Sequence, residues 1–169
     1  IRLVSEVSAK VGPVAESFDV GQIFYKSEVL LKIDSRDYEL ALAQARSQVA
    51  QAKLLLQLEL KEADVVRREW ELINQGEPTG LQAREPQLAS ARAALEAALA
   101  AEEAAKRNLD RCEIRAPFDG MVARASVRPG QFAALATPLG ELFATDFAEV
   151  RLPVIASDLS FIDLPRPGA

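Results

Sequence analysis

The 169-residue sequence contains no histidine and a single cysteine, Cys112. Without histidine the chain lacks the side chain most used for proton transfer near neutral pH. The two scarcities together exclude His/Cys zinc sites and any disulfide within the chain. Aromatic residues make up only 6% of the sequence, too few for a thick core of large rings. No apolar run approaches the roughly 20 residues that a membrane-spanning helix needs. Positive charge is also in deficit, with a net charge of −5, which argues against a nucleic-acid partner. The chain opens on Ile1-Arg2-Leu3 without a signal peptide and closes on Arg166-Pro167-Gly168-Ala169, so a piece of a longer protein is expected.

What is present is alanine. It supplies 29 residues, so the 49% hydrophobic share consists largely of small side chains suited to close helix contacts. That share, with 27% charged residues, also excludes wholesale disorder. Glycine and proline are missing from 22–75 and from 87–116. Two long stretches free of helix breakers, separated by a short cluster of them, predict two helices of about 36–75 and 80–112 joined by a turn. The flanks are rich in Val, Ile and Phe and punctuated by glycine and proline, which predicts short strands and tight turns.

Within the first helix, residues recur with alternating steps of four and three: Tyr38, Leu42, Ala45, Val49, Ala52, Leu56, Glu59, Ala63, Val66, Trp70 and Ile73. The second carries Leu81, Arg84, Leu88, Ala91, Leu95, Ala98, Glu102, Ala105, Leu109 and Cys112. This spacing keeps one narrow stripe facing a partner helix, as in a left-handed coiled coil. A pair of helices in a compact bundle is the alternative, which such narrow stripes serve poorly. At 1.5 Å per residue, arms of about 30 to 40 residues make a rod roughly 45–60 Å long, a spacer or docking arm rather than a catalytic domain. In the turn, Gly76 can end the first helix, and Thr79 with Gln82 fits a capping box for the second. Pro86 either kinks that helix or marks its true start.

The flanks also resemble each other. Gly12-Pro13-Val14-Ala15 is followed by Gly21-Gln22, and Gly120-Met121-Val122-Ala123 by Gly130-Gln131. Two copies at nearly equal spacing predict a structural repeat. Each half would supply about four strands, and the two together would make one small β-sandwich from which the hairpin projects.

The base of the hairpin, Asn108-Leu109-Asp110-Arg111-Cys112-Glu113-Ile114-Arg115-Ala116-Pro117-Phe118-Asp119-Gly120, resembles a signature of the HlyD-like membrane fusion proteins, the periplasmic adaptor subunits of tripartite efflux pumps. Val20-Gly21-Gln22, Leu31-Lys32-Ile33-Asp34 and Val127-Arg128-Pro129-Gly130-Gln131 are similar to that family as well. Ser27-Glu28, where the family usually has Gly-Asp, and Pro86 depart from it. The resemblance implies a mixed α and β, elongated modular fold. A lipoyl-like (biotinyl/lipoyl-type) β-sandwich of 9–34 and 113–146 would be interrupted by an antiparallel coiled-coil hairpin of 36–112. Residues 1–8 and 147–169 would belong to a β-barrel domain, with Ala148–Val154 as its first strand and Ser157-Asp158-Leu159 opening its helix.

The same resemblance implies a non-catalytic function. The adaptor would link an inner-membrane transporter of the resistance–nodulation–division (RND) type to an outer-membrane channel of the TolC-like type. It would self-associate into a ring or tube, a hexamer in expectation, and lie in the periplasm, anchored to the inner membrane by a segment outside this chain. Arg68, Leu72 and Thr79 match the family's R-x3-L-x6-S/T pattern for the hairpin tip that meets the channel. Each also has a plain reading, as a solvated charge, hairpin packing and an N-cap. Leu42, Val49, Leu56, Val66, Trp70, Leu88, Leu95 and Leu109 would pack the hairpin. No cofactor, metal or catalytic residue is expected. Lys26 must be weighed as a lipoylation site, but the junction that carries the modified lysine in lipoyl carriers is here replaced by the helices. Cys112, on the stripe, reads as a small buried hydrophobe. The alternatives are an adaptor of an ABC- or MFS-type export system, a lipoyl or biotinyl carrier domain, and a coiled-coil scaffold of unrelated role.

Overall fold

The computed structural model describes residues 1–73 and 84–146. Short runs of Val, Ile, Leu and Phe between turn residues form eight strands among them. These are β1 (Arg2–Val4), β2 (Ala9–Val14), β3 (Ile23–Phe24), β4 (Val29–Ile33), β5 (Glu113–Arg115), β6 (Gly120–Ala125), β7 (Phe132–Ala133) and β8 (Pro138–Ala144). Between β4 and β5 run two helices, α1 (Arg36–Ile73) and α2 (Glu85–Asp110). The mixed α and β class expected from the sequence is what is found.

The strands make two antiparallel four-stranded sheets, ordered β1-β8-β6-β3 and β5-β4-β2-β7. Replacing every strand by its counterpart four places along converts one order into the other, so the two halves are related by an internal two-fold. Each half sends its first and third strands to the sheet built on the other half's second and fourth, with β3 pairing with β6 and β7 with β2. The core is shared in the same way. Val11, Phe18, Phe24, Leu30, Leu31 and Ile33 from the first half meet Ile114, Val122, Ala133, Leu139 and Leu142 from the second, all buried. Phe24 is fully buried, and its ring lies 6.0 Å from that of Phe118 at a tilted angle of 56°.

The strand registers correct the alignment of the sequence repeat. Lys10 pairs with Phe132 and Val11 with Ile33; Met121 pairs with Ile23 and Val122 with Leu142. Val11 is therefore the counterpart of Val122, and Gly12 that of Ala123, not of Gly120. The Gly-Gln pairs do correspond, with φ of +85° at Gly21 and +88° at Gly130, a conformation that glycine takes at no steric cost. The offset changes along the repeat because the β2–β3 connection includes a 3-10 turn, Glu16–Phe18, and is two residues longer than the β6–β7 connection. A second matched pair carries the same positive φ without glycine: Ser27 at +69° and Ala136 at +63°.

Residues 1–8 also depart from expectation. The family resemblance places them in a separate barrel domain, but Arg2–Val4 pairs with β8 as an edge of the first sheet. Ser5 and Val7 behind it are buried, and the Ser5 hydroxyl donates to the Val7 carbonyl at 2.6 Å. Residues 147–169, the expected barrel segment, lie outside the described residues.

Candidate functional site

The hairpin is the feature with most to offer a partner, and its construction starts from one stripe. Along α1 every position from Arg36 to Leu72 is exposed except Tyr38, Leu42, Ala45, Val49, Ala52, Leu56, Glu59, Ala63, Val66 and Trp70. Ile73, one step further, is exposed. On α2 the sheltered positions are Leu88, Ala91, Leu95, Ala98, Glu102, Ala105 and Leu109, with Asn108 beside them. The two helices pack on each other along these rows. They run antiparallel, since Arg46 meets Glu102 near the base and Glu59 meets Arg84 further out.

The charged members of the stripe thus have a structural reason that the spacing alone did not disclose. Glu102 takes a hydrogen bond from Arg46 Nε at 3.3 Å. Glu59 takes two from Arg84, at 3.2 and 2.7 Å, and the same guanidinium reaches Glu62 at 2.7 Å. Opposite signs at Glu59 and Arg84 were a legible signal, but only the offset between the helices shows that they meet. Helix α2 begins at Glu85 with Pro86 in its first turn, where a missing N–H costs nothing. The helix therefore starts at the proline rather than kinking there. The expected start near residue 80, with its Thr79–Gln82 capping box and the turn at Gly76, lies outside the described residues.

At its base the hairpin is tied to the sandwich. The Tyr38 hydroxyl accepts from the Ser8 N–H at 3.1 Å and donates to the Ser8 carbonyl at 3.2 Å. The Ile33 N–H donates to the Cys112 carbonyl at 2.7 Å. Cys112 itself is buried in the core, and burial pushes its thiol up to about 11. A thiol so rarely ionised makes a poor nucleophile. Asp34, just ahead of α1, is held down at about 2 by hydrogen bonds from the Arg36 side chain and backbone. Ser35, the residue before α1, donates its hydroxyl to the Glu39 carboxylate at 2.6 Å. Lys26 lies exposed in the β3–β4 turn, its N–H donating to Asp119 at 2.6 Å, while the junction of the two halves is taken by α1 and α2. Among the described residues no group of three His, Cys, Asp or Glu is placed to hold a metal ion.

At the far end, Arg68 and Leu72 are both exposed, Leu72 by 86%. They lie one turn apart on one face of α1, off the packing stripe and roughly 50 Å along the helix from its start at 1.5 Å per residue. Leu72 is not hairpin packing, the plain reading of that residue. Thr79, the third member of the pattern, lies outside the described residues.

No protein-family model matches the chain. Solved structures do resemble it. A MacA–MexA chimeric protein containing the MexA α-hairpin domain of Pseudomonas aeruginosa aligns with a TM-score of 0.62 at 24% identity, over 84% of this chain and 46% of the chimera. The periplasmic adaptor protein EmrA aligns at 0.60 and 16%, over 83% of this chain and 70% of its own. The chain has the fold of the membrane fusion proteins. Spr0693 from Streptococcus pneumoniae R6, a membrane fusion protein by name, aligns at 0.53 and 20% identity. The present chain spans 46% of the chimera and 54% of Spr0693, about half of the length of each. At these identities the likeness is one of fold. It covers sheets and hairpin together.

Proposed function

We propose that the chain is the hairpin-bearing part of a periplasmic adaptor in a tripartite efflux pump, linking an inner-membrane RND transporter to an outer-membrane channel of the TolC-like type. In this reading the β-sandwich corresponds to a split lipoyl-like domain, and residues 147–169 belong to the barrel domain. The protein works by assembly rather than catalysis, as a ring or tube of copies, a hexamer in expectation, held at the inner membrane by a segment outside this chain. The observation that carries the reading is the exposed Arg68–Leu72 pair near the distal end of a hairpin in an adaptor fold. Leu72 offers apolar contact area, and the planar Arg68 guanidinium can bond several carbonyls or carboxylates at once.

Both the chimera and EmrA share the fold, so the choice of an RND transporter over an ABC- or MFS-type one rests on the R-x3-L-x6-T pattern of Arg68, Leu72 and Thr79. The test is export complementation. Arg68→Asp abolishes export at normal expression, because a misplaced charge at a docking contact costs several kcal/mol. Lys53→Asp, exposed at mid-hairpin, is mild, since isolated surface charges contribute little. Full export by Arg68→Asp would remove the tip assignment.

A further inference from the structure

The outer end of the described hairpin carries a cluster that its packing stripe does not need. Arg84 is the residue immediately before α2, and its carbonyl accepts the first turn's bond from Leu88 N–H at 3.0 Å. Its backbone is left-handed, φ +59° and ψ +26°, a conformation that is strained for a non-glycine residue. Its side chain makes no cap. It crosses to α1, where one guanidinium bridges two carboxylates, Glu59 at 2.7 Å and Glu62 at 2.7 Å. Glu59 and Glu62 are three apart and so share a face. Glu59 occupies a stripe position and its side chain is only 19% exposed. A half-sheltered carboxylate at that position is tolerable when a cation meets it there.

Backbone strain at a helix start, held by two carboxylates on the neighbouring helix, is the pattern of a residue kept for positioning rather than for stability. We propose that Arg84 is a latch: by pinning the start of α2 to Glu59 and Glu62 it sets the register of α2 on α1, and so the presentation of the distal docking end. The alanine-rich stripe cannot set that register alone. Ala91, Ala98 and Ala105 alternate with Leu88, Leu95 and Leu109 along α2. Next to Arg84 the sheltered row of α2 offers just Leu88 and Ala91 among the described residues, so few large side chains fix the register at that end. Arg84 Nη2 meets both carboxylates while Nε adds a second bond to Glu59, a two-point grip that the single nitrogen of lysine does not give. Beyond the latch α1 runs on from Ala63 to Ile73, the part that carries Arg68 and Leu72. The inference goes one step past the docking function proposed above and rests on it only for what the latch presents.

The experiment measures the latch without any partner. In a Cys112→Ala background of the whole chain, spin labels are placed at the exposed positions Lys61 and Gln87, and in a second sample at Gln44 and Glu103 near the base. Arg84→Met should move the Lys61–Gln87 distance by several Å or at least double its spread. It should leave the Gln44–Glu103 distance and the helix content unchanged. Arg84→Lys should fall between the two. Moving the charges, with Arg84→Glu, Glu59→Arg and Glu62→Gln together, should restore the narrow distribution, which a loss of mere bulk would not. A narrow, unmoved distal distance in Arg84→Met overturns the latch, as does failure of the charge-moved variant to restore it. Export complementation of Arg84→Met separates the two claims. If the distance moves and export falls, both stand. If the distance moves and export is unimpaired, the latch stands and the tip-docking reading fails.

Discussion

The sandwich and the hairpin are made of the same 49% hydrophobic chain but hold together by different means. In the sandwich, Phe18, Phe24, Leu30, Leu139 and Ala133 are fully buried, and each sheet is completed by strands from both ends of the sequence. Among the described residues of the hairpin, Leu42, Ala45, Val49, Ala63 and Ala91 are buried but none completely, and a single row of contacts joins α1 to α2. The difference separates roles. Cooperative, non-local packing makes the sandwich a rigid base, whereas a thin alanine seam makes an arm whose length and end can vary without disturbing the base.

The widest gap between the two should appear in their response to truncation. Phe24→Ala should destabilise the protein by about 3–5 kcal/mol, because a fully buried ring leaves a cavity in a tightly packed core. Leu42→Ala should cost about 2 kcal/mol, at the low end for leucine, since a thin seam collapses onto the gap more easily. Denaturant titration monitored separately for β and α signals would measure both. Equal costs would erase the distinction.

A smaller effect of opposite sign should come from the strained turns. Ala136→Gly should stabilise the sandwich by about 1 kcal/mol, by relieving the positive φ at that position. Ser27→Gly should do the same at its counterpart, read as a rise in melting temperature. If only one responds, the internal two-fold does not extend to the energetics of these turns.

The junction between the two regions should be sensitive to acid. Asp34 is depressed to about 2 in the fold, against an ordinary value near 3.9. A carboxyl whose folded value is lowered contributes stability that is complete above its ordinary value and disappears as the pH falls through about 2. Carbon-detected titration of Asp34 should therefore show a midpoint near 2 that returns towards 4 in Arg36→Ala. A midpoint already at 4 in the unaltered protein would remove the Asp34–Arg36 pair from the base.

The smallest effect on the sandwich should follow the largest deletion. Tyr38 bonds to Ser8, and Cys112 belongs to the core, so a cut at 36–112 would damage the base. Replacing 40–107 by a short turn spares both. The product should keep a dispersed amide spectrum and a melting temperature within a few degrees of the parent. A molten product would show that the arm supports the base after all.

Much of this could be read in advance, unevenly. The stripe from Tyr38 to Trp70 was legible because a helix repeats every few residues and its sheltered face follows from spacing alone. The exposed placement of Arg68 and Leu72 was legible in the same way, as positions off that stripe. The repeat was legible in its Gly-Gln turns, where positive φ favours glycine. It was misaligned at Gly12, because strand register is set by the partner strand and by connection length. The place of residues 1–8 is hidden in the sequence for a related reason. A three-residue strand has no periodicity of its own, and only its pairing with Pro138–Glu141 makes it part of the sheet.

By itself, then, the sequence determined two breaker-free helices, one narrow seam between them and a small doubled β unit beneath, because each follows from local spacing and turn chemistry. The tertiary structure decided which strand of one half completes the sheet of the other, where α2 begins, and which charges meet. Those depend on the offset between segments brought together only by folding. Glu59 and Arg84 are 25 positions apart in sequence, and no local pattern records that one lies against the other until the two helices are set side by side.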